Sequence, residues 1–227
     1  MVDAPPRSFS FRMFERAFLR TLRRRLGMSR RAWKPLTAAI LGEARRVWDG
    51  PGPTSPDAFS LGHRWSACLL VGAERVLREA GIDEVPRRRA LEAGLVEPGG
   101  RLIRLFTRLM LRTSRDPFET LADYSTDQVP RRYGAGFEFV VVERREDRFV
   151  QGITRCFFHD VLHAAGEPEL APLFCAYDAN WIAAIDPRRD GIIFTRPETI
   201  AGGGVQCRFE FRRTGAGNAD ATPARGA

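Results

Sequence analysis

The chain has 227 residues, 44% hydrophobic and 28% charged, enough apolar material for one domain with a sizeable core. No apolar run approaches the roughly 18 residues of a bilayer-spanning helix, and arginines interrupt the N-terminus where a secretory signal would be apolar, so a transmembrane protein is excluded and a cytoplasmic address is expected. The net charge of +8 lies entirely in residues 1–50, which hold twelve basic and four acidic residues. Lys34 is the only lysine, an arginine bias that a GC-rich coding sequence produces by itself, so the charge is a weak argument for nucleic acid, which is not expected as a partner.

From Phe9 to Leu26 apolar residues recur at three- and four-residue steps between arginines, which predicts a basic amphipathic helix, followed by a second over Trp33–Trp48. Residues 1–55 are read as a basic helical extension that ends in the loop GPGPTSP, residues 56–213 as a single α+β domain and residues 214–227 as a disordered tail. Helices are expected at Gly62–Gly81, Val85–Ala93 and Leu102–Leu111, the last strongly apolar, with a short turn at Phe118–Tyr124. Cys68 fits a small core residue, and His63 a structural or exposed one.

After Pro130 the pattern changes. Gly134–Val142 and Asp147–Thr154 predict two strands, Cys156–Ala165 and a run from Pro168 or Glu169 to Ile185 predict two helices, and Gly191–Thr195 and Val205–Arg212 predict two more strands. Two hairpins with helices between them give an α+β fold, a four-stranded antiparallel sheet after N-terminal helices. Alternation along the last strand puts Val205, Cys207, Phe209 and Phe211 on one face, towards the helix layer.

Candidate chemistry concentrates between Arg155 and Phe211, which holds three of the four cysteines. Cys156 stands where a strand hands over to a helix, a position that lowers a thiol pKa and favours the thiolate nucleophile. Cys175 and Asp178, three apart on one helix, either pair a thiol with an acid or leave Asp178 as an exposed polar position while Leu173, Phe174, Tyr177 and Trp181 do the packing. Cys156, His159 and His163 follow C-x2-H-x3-H spacing, so Zn²⁺ is a candidate ligand, with Cys175 or Cys207 as the fourth donor. Thr199 can present a hydroxyl or close a turn, and His159, Trp181 and Gly203 are candidate ligand contacts.

Cys156, then GEPELAPLFCAYD (166–178), RPETIAGGG (196–204) and CRF (207–209) resemble the L-2-amino-thiazoline-4-carboxylic acid hydrolase family over roughly the last 80 residues, with a looser likeness to four-vinyl reductase domains. The resemblance implies a hydrolase-like α+β domain that opens a cyclic amidine of a small-molecule substrate, with Cys156, Cys175, Asp178, Thr199, Gly203 and Cys207 at matching positions. Arg208 stands where many members carry an acid. A non-catalytic small-molecule- or metal-binding module with structural cysteines is the alternative, and a homo-oligomer is compatible with either.

Overall fold

The computed structural model describes Pro5 and residues 9–215, so the expected tail falls outside the described residues from 216 onwards. Helices α1 (Phe9–Arg25), α2 (Arg30–Asp49), α3 (Ala58–Glu79), α4 (Glu84–Val96), α5 (Gly100–Thr113) and α6 (Pro117–Asp123) come first. A π-helical turn, Tyr124–Gln128, leads into α7 (Val129–Tyr133), β1 (Glu138–Arg144) and β2 (Arg148–Arg155). Short helices α8 (Phe157–Ala164), α9 (Ala171–Cys175), α10 (Ala179–Ile182) and α11 (Pro187–Asp190) precede β3 (Ile192–Glu198) and β4 (Cys207–Arg213).

Local side chains explain several of these boundaries. Ser29 opens α2 by accepting the Ala32 N–H at 3.2 Å, and Asp57 opens α3 by accepting the Ser60 N–H at 2.7 Å, each satisfying a donor that the helix leaves unpaired. Asp57 also accepts the Ala135 N–H at 2.6 Å, which ties the start of α3 to the loop before β1. α2 and α3 approach closely at Gly72, where a Cβ would lie 2.7 Å from the Ala44 nitrogen and 2.8 Å from the Ile40 carbonyl oxygen. Only glycine allows that contact. Phe18 and Leu22 of α1, and Trp33, Ile40 and Trp48 of α2, are buried in one hydrophobic cluster with Leu69, Leu70 and Leu77 of α3, so α1 and α2 share a core with α3.

The fold is α+β. Both hairpins form, and they join through β2 and β4 into an antiparallel sheet of order β1-β2-β4-β3. Phe149 pairs with Phe211, Gln151 with Phe209 and Ile153 with Cys207. That face packs on Leu111, Phe118 and Leu121 from α5 and α6, so Cys207 points inward as strand alternation requires. Val205, expected on the same face, precedes the strand and is 84% exposed.

Two expectations about elements need correction. The run 169–185 is not one helix but a 3-10 turn (Pro168–Leu170), α9, a second 3-10 turn (Ala176–Asp178) and α10. The tighter winding nearly eclipses residues three apart, so Cys175, Asp178 and Trp181 stack along one edge. β3 also runs three residues past Thr195. Proline is tolerated on this edge strand, and the register shifts between Thr195 and Glu198, around Arg196 and Pro197.

Candidate active site

The site is a seam between the sheet, α8 and the broken helical segment. Cys156 occupies the N-cap position of α8, but its side chain makes no cap hydrogen bond. The expected low pKa is overturned: burial pushes the thiol up to about 12, and the backbone N–H groups of His159 and Phe158 offset only part of this. Desolvation of an anion costs more here than the first turn of a short helix returns. Burial also pushes Cys175 up to about 11, with Cys207 and Asp178 adding to the rise and Arg196 opposing it. Cys207 is raised too, chiefly by burial, although Ile200 donates its N–H to Sγ at 3.4 Å and Arg196 opposes the shift.

The three thiols lie within electrostatic reach of one another, Cys156 with Cys175 and Cys207, and Cys175 with Cys207. Asp178 completes the group. Its Oδ1 accepts from Trp181 Nε1 at 3.0 Å and its Oδ2 from Arg196 Nη1 at 2.8 Å. Arg196 Nη1 also donates to the Cys175 carbonyl at 3.3 Å, so one guanidinium holds both the acid and the backbone of the thiol residue. The Asp178 side chain is 16% exposed, and burial raises its pKa above the usual carboxylate range despite both hydrogen bonds.

Sequence reasoning passes over Arg196 as a site residue, although it opens the RPETIAGGG stretch. It also passes over Tyr133. Burial pushes the Tyr133 phenol well above its ordinary range, and Asp178, Tyr177, Cys156 and Cys175 push the same way, so the phenol borders the seam as a neutral group. Its ring packs edge-on to Phe137 at 4.8 Å and stacks on His63 at 5.7 Å. His63 is held neutral, burial lowering its pKa to about 4, and its Nε2 is buried without a hydrogen-bond partner. Only the fold brings α3, α7, α8 and β3 together here.

Arg196 also lines a pocket of about 420 Å³ with Pro197, Glu198, Thr199 and Gly202–Gly204. Thr199 Oγ1 accepts the Gly202 N–H at 3.0 Å and closes the 3-10 turn Ile200–Gly202. Gly203, with φ of +88°, supplies the left-handed residue after that turn. Trp181 lies against Phe194, Phe209 and Phe211, with ring centroids 5.2, 6.2 and 6.1 Å away, in addition to holding Asp178. A depression of about 600 Å³ between α7 and β1 contains none of the three cysteines and not Asp178 in its lining.

The spacing-based zinc set does not assemble. His159 and His163 have ring centroids 6.1 Å apart, and His163 is exposed while the Cys156 thiol turns into the seam. Among the described residues no group of three or more His, Cys, Asp or Glu side chains is arranged to hold a metal ion. All four cysteines are free thiols.

Fold and site define an α+β domain with a half-buried thiol, carboxylate and guanidinium cluster beside a small open pocket. Residues 73–211 match the family described as L-2-amino-thiazoline-4-carboxylic acid hydrolase, and the chain belongs to that family. The match extends well upstream of the last 80 residues, taking in the second part of α3 and the helices up to α7. No curated protein and no solved structure matches significantly, and the likeness to four-vinyl reductase domains finds no support. No helix among the described residues is long and apolar enough to cross a membrane.

Proposed function

We propose that the protein hydrolyses a small carboxylated cyclic amidine of the 2-amino-thiazoline-4-carboxylate type, with the seam around Asp178 as its active site. The observation that carries this reading is the Arg196–Asp178 ion pair, which joins the pocket to the three thiols. Such a substrate has one anionic and one amidinium end. Arg196 matches the carboxylate, and Asp178 matches the amidinium nitrogens.

Cys175 is the favoured nucleophile. It shares Arg196 with Asp178, and its thiol is raised less than that of Cys156, to about 11 against about 12. The Cys175 proton passes to Asp178 as the sulfur–carbon bond forms at the amidine carbon. Asp178 then returns that proton to the ring nitrogen as the ring carbon–nitrogen bond breaks. Water, with a proton again taken by Asp178, releases the opened product and regenerates the thiol, so one water is consumed overall. Cys156 and Cys207 flank Cys175, Tyr133 donates a hydrogen bond, and Thr199 and Gly203 shape the pocket. Four free thiols fit a cytoplasmic address.

Incubation with L-2-amino-thiazoline-4-carboxylate should yield a product heavier by one water. Cys175→Ala and Asp178→Asn should each abolish it with the fold intact by circular dichroism. Full activity in Cys175→Ala and Cys156→Ala removes the thiol mechanism. A second reading, a binding module with structural cysteines, is favoured by the protonated state of all three thiols, and it requires ligand binding without turnover.

A further inference from the structure

Helix α5 turns its apolar residues outward. Gly100, Thr107 and Leu111 are buried against the protein, whereas Leu102, Leu105, Phe106 and Leu109 are 69, 60, 46 and 58% exposed. At about 100° per residue these four form one stripe on the side of the helix opposite the buried three. The expectation of a strongly apolar helix is met in composition, but its apolar face is not the face that packs.

The arginines of α5 are arranged as regularly. Arg101, Arg104, Arg108 and Arg112 recur at three- and four-residue steps and form a row along one flank of the stripe, and the helix contains no acidic residue. Among the described residues none of the four is in a salt bridge. Arg104 donates to Asn180 Oδ1 at 3.2 Å, and Arg108 feels the Asp190 carboxylate, which Arg189 already holds.

The occupant of this face must therefore offer apolar volume for leucine and phenylalanine next to anionic groups for the arginine row. A second copy docked through α5 supplies the first without the second. An antiparallel pair brings both arginine rows to the same edge, and a parallel pair sets each row against the other copy's Ile103 and Met110 side, so guanidinium charge stays unmatched in either case. Residues 216–227 hold no large apolar side chain that could fill the stripe. An anionic bilayer surface meets both requirements, with acyl chains beneath the stripe and phosphates along its edge.

We propose that α5 docks the protein peripherally on an anionic lipid surface, through Leu102, Leu105, Phe106 and Leu109 in the acyl boundary and its arginines on the headgroups. This stands independently of the ring-opening reading. The test is co-sedimentation of the full chain with vesicles of phosphatidylcholine alone or with about a third phosphatidylglycerol, an anionic content in the range of natural leaflets. The protein should partition to the anionic vesicles about tenfold or more above the neutral ones, and less as salt rises. Leu105→Ser/Leu109→Ser and Arg101→Glu/Arg112→Glu should each lower that partition about tenfold, with the melting curve unchanged because these side chains face outward.

Failure of the wild-type chain to bind overturns the proposal. So does undiminished binding in Leu105→Ser/Leu109→Ser, which assigns the contact to another surface such as α1. A wild-type dimer by light scattering that becomes a monomer in that variant, without vesicle binding, makes a second copy the occupant and also overturns it.

Discussion

Cys68 and Cys156 are thiols whose pKa burial pushes up to about 12, the first fully buried and the second partly so, and they belong to different kinds of place. Cys68 lies fully buried in α3 among the apolar residues of the helical platform. Cys156 borders a seam that also holds Cys175, Cys207, Tyr133, Asp178 and Arg196. A shifted thiol by itself therefore marks only burial. Cys68 also feels Arg64 and Asp49, so what separates the site from the core is that its acid and cation pair with each other and that the cation lines a pocket.

The sharpest way to break this comparison is to remove one thiol from each region. Cys175→Ala should lower ring-opening turnover by about a thousandfold or more, as loss of a nucleophile does. Cys68→Ala should keep turnover and cost about 1 kcal/mol in urea unfolding, since it shortens one core side chain. Equal kinetic effects would dissolve the distinction.

Arg196→Lys should have the next largest effect, about a hundredfold in kcat/KM, because a lysine loses the planar group that lies over the Phe209 ring at 5.7 Å and sets Nη1 between the Asp178 oxygen and the Cys175 carbonyl. Asp178 carries a sign that can be checked. Its folded pKa is raised, so it loses its proton only at a higher pH than a free carboxylate, and because it must be unprotonated to take the Cys175 proton, turnover should fall as pH drops through the raised value. Asp178→Asn should remove that limb from the pH profile along with most of the activity.

A smaller effect is expected in thiol labelling. Cys156 and Cys175 are protonated near neutrality, so iodoacetamide labelling of the native protein should be slow at neutral pH and climb about tenfold per pH unit below their raised values. A plateau near neutral pH, read by mass spectrometry, would show a thiolate and restore the helix-terminus expectation. The smallest effect is on alkaline stability. The unfolded thiols titrate near 9.0 and the folded Cys68 and Cys156 near 12, so their stabilising contribution is complete below the first value and is lost as pH rises through the second. Cys68→Ala and Cys156→Ala should each flatten that loss by a similar amount, the one property in which the two regions agree.

Much of the fold was legible because its signals are local. The spacing of Phe11, Phe14, Phe18 and Leu22 places α1, and the alternation of Cys207, Phe209 and Phe211 fixes which face of β4 is buried. The site was legible in part. Cys175, Asp178 and Cys207 stand out as a residue pattern and as a resemblance, and they do converge. Arg196 escapes notice because its importance depends on an extension and register shift of β3 past Thr195, at a proline. Tyr133 escapes because its neighbours are distant in the chain and arrive from α8, the broken helix and α3. The Cys156 pKa is misjudged from sequence because position at a helix terminus is local, whereas desolvation is summed over everything packed around the thiol.

The sequence by itself determined the order of elements, the antiparallel hairpins, the inward face of the last strand and the positions that resemble the family, all consequences of period, turn chemistry and side-chain type along a short stretch. The tertiary structure decided which of those positions meet, the protonation of the thiols, the failure of His159 and His163 to join them, and the outward turn of the α5 leucines. These depend on what stands opposite each residue in space. One apolar helix packs and another faces solvent with the same periodicity, because burial is set by the neighbouring elements and not by the helix alone.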